Sequence, residues 1–538
     1  MGVVLGLHGG FTIGQHEPGA ALLIDGETVS IYEEERFNRI KSSYGMLPKH
    51  SVQHILNDNS ISPSDVDLVV VTGITYSNTR DRWKLFLEHI FGCSPQILVC
   101  HHQEAHAAAA FYGSGYDKAV AITLDAYGDK ASGSIYICDR LEGLKLVRYL
   151  PVDESLGVVY TAFTYHLGFE EGDEYKVMGL APYGQCVHGQ EIFDDISASM
   201  VKRTHPDVIS PFDYPCRSDY IQRLTGVVQR PVNQPLSTDH QDLAKLIQEW
   251  LEQKIRSLFT SVSVETGISN IVYAGGVALN CAANRSLRSD CNLDRLYISP
   301  LSSDRGLAYG CACIGSASMS YLPTKLDVPY YGKSYLDSEI ETELISNGVS
   351  YSTPKQLTKV VARLLHQDKI VGWFHGKSEA GARALGNRSI LASASKELMK
   401  DLLNSKIKYR ESFRPFAPIV LETDADLYWH IDNMLDYSCM TYTALATDLG
   451  IQYAPASIHA DKTSRLQTIN PLQNPLFSQL LSDYKELSGH SILLNTSFNL
   501  KGQPIVDSPR DALMTFYGCG LDALVIGPYL ILKDILQN

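Results

Sequence analysis

The chain has 538 residues, 44% hydrophobic and 20% charged, which excludes a disordered or fibrous protein and predicts two or three domains rather than one core. Its formal net charge of −14 argues against unaided binding to a polyanion such as tRNA, which Lys and Arg drive, so no nucleic-acid partner is expected. No apolar run reaches about 18 residues, so no membrane span is expected. The N-terminus has no basic n-region or small-residue cleavage site, and Gly6 stands where a myristoylation signal wants Ser or Thr, so the expected compartment is the cytoplasm. The 11 cysteines form no CxxC pair and support neither a zinc ribbon nor a disulfide framework.

Strands and helices alternate along the chain, which predicts α/β architecture. VVLGL, AALLID and TVSIY read as opening strands around turns at Gly9–Gly10 and Asp25–Gly26. KHSVQHILNDN reads as a helix and DLVVVTG as a buried strand. In HHQEAHAAAAF, His102 and His106 are four apart, so on a helix their imidazoles share one face. Neutral imidazole is the commonest metal-ligating side chain, yet such pairs also arise by chance. The metal reading therefore depends on carboxylates and a nucleotide site elsewhere. Gln103 rather than Glu follows His102, and Glu104 falls on another face, which discards a zincin-type protease. AVAITLDAYGD reads as a buried strand ending in Asp125, Gly128 and Asp129, where phosphate- and metal-gripping folds place acidic and Gly residues.

A long amphipathic helix is predicted from Leu236, followed by NIVYAGGVALNCAANRSL as strand, Gly-Gly turn and helix. Gly275 and Gly276 would let the backbone approach a phosphate closely. The pattern weakens between Leu326 and Thr353, and the domain boundary is placed there, giving parts 1–345 and 346–538. In the second part, IVGWFHG reads as a strand, and Arg383, Arg388, Lys406, Lys408, Arg410 and Arg414 cluster among Gly, Ala, Phe and Pro. Such a cluster is either a solvated charged face or a site for a small phosphorylated ligand; the planar fork of Arg and its apolar neighbours favour the ligand.

These motifs together resemble the O-carbamoyltransferases of the tobramycin, cephamycin and nodulation-factor type, nearly end to end. The matching runs are QHEPGAALLIDG, EEERFNRIK, HHQEAHAAAAF, EGDEYKVMGLAPYG, YAGGVALN, SPLSSDRGLAYG, GKSEAGARALGNRSILA, KIKYRESFRPFAPIV and LLNTSFNLKGQPIV. Departures are Glu17 for Asp, Ala126 for Gly, Lys377 for Arg and Ala382 for Pro.

The resemblance implies an actin-like (sugar-kinase-like) duplicated ATPase-type domain over 1–345 and a YrdC-like α/β domain over 346–538. It implies two steps: carbamoyl phosphate and ATP give carbamoyl-AMP and pyrophosphate in the second domain, and an acceptor hydroxyl then takes the carbamoyl group in the first. Metal ligands are expected to be His102, His106, Asp304 and Asp125, holding Fe(II) or Zn(II), with Mg(II) accompanying ATP. His16 is the expected general base. Lys176, Gly275, Gly276 and Asn280 are expected to line the nucleotide site. Arg383, Lys408 and Arg414 are expected to bind carbamoyl phosphate, with Arg388, Asn495, Thr496 and Ser497 lining that pocket. The expected acceptor is a small hydroxylated molecule, and a homodimer is the prior for such an enzyme. The competing readings are threonylcarbamoyl transfer to tRNA and a non-enzymatic actin-like scaffold.

Overall fold

The computed structural model describes residues 2–11, 14–93, 95–185, 190–196 and 214–533. Strands β1 (Val3–His8), β2 (Gly19–Ile24), β3 (Glu27–Glu33), β4 (Leu68–Thr72) and β5 (Gln96–Cys100) form a sheet in the order β3-β2-β1-β4-β5. The first three make an antiparallel meander, and β4 and β5 run parallel to β1. Strands β6 (Lys118–Gly128), β7 (Ala131–Asp139), β8 (Gly143–Pro151), β9 (Asn270–Ala274) and β10 (Arg295–Ile298) repeat the plan. Their order is β8-β7-β6-β9-β10, with the same antiparallel meander and the same two parallel returns. Two sheets with one connectivity are the duplicated plan of actin-like ATPase folds. The AVAITLDAYG and NIVYA runs become the central strands of the second sheet. Their apolar content is explained by burial on both faces.

The remainder builds a third sheet. Strands β11 (Val371–Phe374), β12 (Arg388–Ser393) and β13 (Ala417–Leu421) are followed by a small separate sheet of β14 (Trp429–His430), β15 (Thr443–Ala446) and β16 (Thr463–Arg465). Strands β17 (Gln467–Ile469), β18 (Leu493–Ser497), β19 (Ala523–Ile526) and β20 (Tyr529–Leu532) complete the order β17-β13-β18-β12-β11-β19-β20. The stretch that read as pattern-poor contains a helix, Asp337–Ser346. Glu339 caps it by accepting from the Leu336 N–H at 2.6 Å, and Ile340 and Leu344, four apart, are buried. Tyr529 donates its hydroxyl to the Asp337 carbonyl at 3.3 Å, so this helix docks on the third sheet.

Between the first two sheets lie two helices, His102–Ser114 and Leu307–Ser318. Every side chain from Ala105 to Tyr112 is at most 2% exposed. A helix buried on all sides needs no amphipathic pattern, which is why its sequence is a run of alanines. Small residues also let the two helices approach closely. At Gly310 an added Cβ would lie 1.9 Å from the Ala105 carbonyl oxygen, so the contact admits no side chain there. Among the described residues no helix is long and apolar enough to cross a membrane.

Gly310→Ala is therefore expected to force the helices apart and lower the unfolding free energy by about 1–3 kcal/mol. Urea denaturation checks this; an unchanged midpoint would contradict the close approach.

Candidate functional site

The helix that begins at His102 carries His106 one turn on, and the turn Asp304–Gly306 leads straight into the second buried helix. Packing the two helices side by side brings His102, His106 and Asp304 together, and β6 delivers Asp125 to the same point. His102 Nε2 lies 3.1 Å from Asp125 Oδ2 and 3.6 Å from Asp304 Oδ1, and His106 Nε2 lies 3.4 Å and 3.5 Å from the same two oxygens. Ligands about 2.1 Å from a tetrahedral ion stand about 3.4 Å apart, so the spacing fits a divalent metal with mixed N/O ligation. Both ring nitrogens of His106 are buried without a hydrogen bond, an arrangement that costs free energy unless something else binds there.

Electrostatics point the same way. Burial alone would lower the His106 pKa, but Asp125 and Asp304 push it up to about 9. Burial would raise Asp125, yet His102 and His106 drive it well below the usual carboxylate range. Asp304 is likewise held low against its burial, by His102, His16 and His106. Two neighbours outside the expected ligand set support these groups. His8, at the end of β1, places Nε2 3.6 Å from Asp304 Oδ2 and Nδ1 3.0 Å from Thr72 Oγ1. Asp129 accepts from the backbone of Gly73 at 3.2 Å and His102 at 2.8 Å, and from Thr75 Oγ1 at 2.8 Å. Asp129 thus anchors the start of the histidine helix. The polar residue that ends the first strand, just before Gly9-Gly10, and the second acid of DAYGD were the signals for these two.

His16 sits at the edge of this group. Its ring packs on Tyr44 with centroids 5.2 Å apart, and its carbonyl accepts from His8 Nε2 at 3.1 Å. Burial would lower its pKa, but Asp304, Glu17 and Asp125 raise it. The Gly-Gly turn also meets the cluster. Gly275 has φ +93°, and a Cβ there would fall 2.2 Å from the Leu124 carbonyl oxygen. The turn aims the Gly276 N–H at Asp125 Oδ1, 3.3 Å away. Asn280 is occupied structurally: it caps the helix at Cys281 through the Ala283 N–H and pairs with Gln248.

The second group of expected residues gathers elsewhere. Burial first, then repulsion from neighbouring arginines, brings Arg383 and Arg410 down to about 9 and also lowers Arg465; Arg465 and Arg414 act on Arg383, Arg414 and Arg465 on Arg410, and Arg414 on Arg465. Arg465 was not among the sequence candidates, because it stands alone on β16 far along the chain. Arg414 covers the Tyr175 ring at 4.5 Å and meets Glu411 at 3.5 Å. Lys176 bridges Glu411 at 3.4 Å and Asp173 at 2.7 Å, which ties the helix Glu174–Leu180 to the basic loop. Lys408 ends a π-helical turn, Asn404–Lys408, and its ammonium bonds to the carbonyls of Ser497 and Asn499, to Asn499 Oδ1 at 2.9 Å and to Ser497 Oγ at 3.3 Å. Burial, Arg410 and Arg414 hold Lys408 well below the usual lysine range. Thr496 and Ser497 are partly buried at the end of β18.

Two expected pocket residues are placed differently. Arg388 is fully buried, and its guanidinium donates to the carbonyls of His375, Gly376, Asn387 and Lys333 while stacking 3.6 Å over Phe374. It is a structural cation, spent on backbone oxygens. Asn495 is also interior, donating to Gln467 Oε1 at 2.7 Å and the Ala384 carbonyl at 3.2 Å. Sequence could not separate these from true pocket liners, since Arg and Asn serve both purposes.

A metal must displace the proton that His106 otherwise holds up to about pH 9. The zinc affinity of chelator-stripped protein should thus climb about tenfold per pH unit over that approach, with His106→Ala losing the ion. Competition against a zinc-binding dye measures it; a pH-independent affinity would contradict the cluster's role.

Residues 84–313 match the family description "Carbamoyltransferase N-terminus", and residues 362–533 match "Carbamoyltransferase C-terminus". Nodulation protein NolNO of Sinorhizobium fredii is 33% identical over 96% of this chain and 79% of its own length. Nodulation protein NolO of Bradyrhizobium diazoefficiens is 34% identical over 80% and 79%. Among solved structures, full-length HypF in its phosphate- and nucleotide-bound form is 14% identical, with a TM-score of 0.33 over 59% of this chain and 56% of that one, too slight a likeness to carry an argument. The two matched segments together span both the two-histidine, two-carboxylate cluster and the arginine cluster, and with them the chain belongs to the carbamoyltransferase family: it is an enzyme that moves a carbamoyl group from a donor to an acceptor.

Proposed function

We propose that the enzyme is an ATP-dependent O-carbamoyltransferase that activates carbamoyl phosphate as an adenylate and passes the carbamoyl group to a hydroxyl of a small molecule. The observation that carries this reading is the pair of unlike centres. One is a two-histidine, two-carboxylate cluster suited to a metal. The other is a cluster of half-buried arginines, Arg383, Arg410, Arg414 and Arg465, in which neighbouring cations lower Arg383, Arg410 and Arg465 and so favour a bound polyanion. A scaffold that only binds nucleotide needs no second anion site.

In this reading the 346–538 part performs activation. Atoms balance when water first releases phosphate from carbamoyl phosphate. A carbamate oxygen then attacks the α-phosphorus of ATP, and the bond to pyrophosphate breaks. The arginines neutralise the donor phosphate and the charge growing on the leaving pyrophosphate. Lys176, on the first part but bonded to the basic loop, would face the nucleotide from the other side.

In the 1–345 part, His102, His106, Asp125 and Asp304 would hold Fe(II) or Zn(II). Bound there, the ion supplies Lewis-acid polarisation and a grip on nucleotide phosphate. His16, beside Asp304 and Glu17, takes the proton of the acceptor hydroxyl as its oxygen attacks the carbamoyl carbon. AMP departs with the bonding electrons, and the product is an O-carbamate. The carboxylates at this mouth and the net charge of −14 favour a neutral or cationic sugar or polyol over a nucleic acid.

With ATP and carbamoyl phosphate, pyrophosphate and AMP should appear without threonine or bicarbonate. Arg414→Ala and Arg465→Ala should each cut pyrophosphate release by about a hundredfold, as expected for losing a charge-assisted contact to a phosphate. A panel of sugars, aminoglycosides, alcohols and tRNA, scored by mass spectrometry, should gain a carbamoyl group among the small hydroxylated molecules. Carbamoylation of tRNA alone would overturn this acceptor class.

A further inference from the structure

The EEERFNRIK segment enters neither centre, yet Glu33, Glu35 and Arg36 of it are buried between them. Arg305, the residue after Asp304, has its guanidinium within 3.3 Å of Glu35 and 3.7 Å of Glu33, and it pairs with Glu17, the neighbour of His16. The Arg305 backbone N–H adds a bond to Glu17 at 3.3 Å. Glu33 reaches further: Oε1 accepts the Gly381 N–H at 2.5 Å, and Oε2 accepts Arg36 Nε at 2.9 Å. Arg36 Nη2 in turn donates to the carbonyls of Gly381 at 3.2 Å and Glu379 at 3.4 Å. Gly381 lies two residues before Arg383. One residue-to-residue path of charge-assisted bonds therefore runs from the neighbours of His16 and Asp304, through Arg305 and Glu33, to the loop that carries Arg383. Arg39 adds a second anchor on the same side, donating to the carbonyls of Ile505 at 2.7 Å and Pro504 at 3.0 Å, with Asp511 at 3.4 Å.

The side chains of Glu33, Arg36, Glu35, Glu17 and Arg305 are all at most 10% exposed. Burying five charges is costly unless each is paired, and the pairing fixes geometry more than it adds stability. A longer, apolar interface would hold two bodies together as well. What bidentate, directional bonds provide is register.

We infer that Glu17, Glu33, Glu35, Arg36, Arg39 and Arg305 form a positioning clamp that keeps the Arg383 loop closed against the transfer centre, so that the activated carbamoyl group is retained until an acceptor arrives. These are positioning residues; none contacts the reacting atoms. The inference rests on the activation-and-transfer reading above. Loosening the clamp should let the adenylate escape, where water breaks its carbonyl–oxygen bond to give AMP and carbamate.

The test mixes native enzyme with saturating ATP and carbamoyl phosphate, without acceptor, and follows pyrophosphate in time. Native enzyme should release about one pyrophosphate per site in a burst and then slow, because the intermediate stays bound. Glu33→Gln keeps the size of the side chain and an acceptor for Gly381 but removes its charge, and should leave the burst while speeding the slow phase about tenfold, the loss expected of one charge-assisted bond. Arg39→Ala, at the more exposed anchor, should do the same and decides the matter if Glu33→Gln fails to fold. A general folding defect lowers both phases together. In a variant whose circular dichroism and melting match native, a fall in both phases or a slow phase no faster than native overturns the clamp, as does rapid continuous release by native enzyme. Absence of any pyrophosphate from native enzyme overturns the activation reading, and the clamp with it.

Discussion

The structure depends on one close contact, the packing of the helix His102–Ser114 against the helix Leu307–Ser318. It is made of alanines on one side and Gly310 on the other, so backbone meets backbone. The contact does two things at once. It joins the two halves of the duplicated fold, and it sets the N-terminal ends of both helices side by side. His102 and His106 lie at one end and Asp304 at the other, so the ligand cluster is a direct consequence of the packing. Larger residues at the contact would separate the ligands as well as the sheets.

Charge is distributed with the same economy. The chain is acidic overall, yet several of its arginines are sorted into two kinds. Arg36, Arg305 and Arg388 are matched by carboxylates or backbone carbonyls and act as structural joints. Arg383, Arg410 and Arg465 are half-buried and crowded by other cations, with Arg410 held by Asn404 and the Pro415 carbonyl, so an anion there would relieve their repulsion. The same residue type thus serves stability in one place and ligand demand in another, and the partner atoms make the difference. Lys176 and Glu411 connect the two systems across the junction of the first two sheets with the third.

In the proposed reading the acceptor hydroxyl meets the carbamoyl group beside the metal cluster. His16, Glu17, Asp125 and Asp304 concentrate negative charge and one proton-accepting ring at that edge. The basic side lies toward the third sheet, where phosphates would be handled.

Much of this was legible in the sequence. The spacing of His102 and His106 predicted a shared helix face, and the alternation of strands and helices predicted the α/β plan, because both follow from local periodicity. Motif order added the family and with it Asp304, which no spacing could link to a histidine some two hundred residues earlier. The basic run from Arg383 to Arg414 suggested an anion site, and the structure brings Arg383, Arg410 and Arg414 near one another. Tertiary structure decided the rest. It recruited Arg465 and His8 from distant segments, removed Arg388 and Asn495 to the interior, turned Asp129 into an anchor, and gave EEERFNRIK a place between the two centres. Each of these outcomes depends on which polar atoms become neighbours after folding. Local sequence sets the type and direction of a side chain, whereas its partners, and so its role, are fixed only when burial removes water and forces every charge to find another.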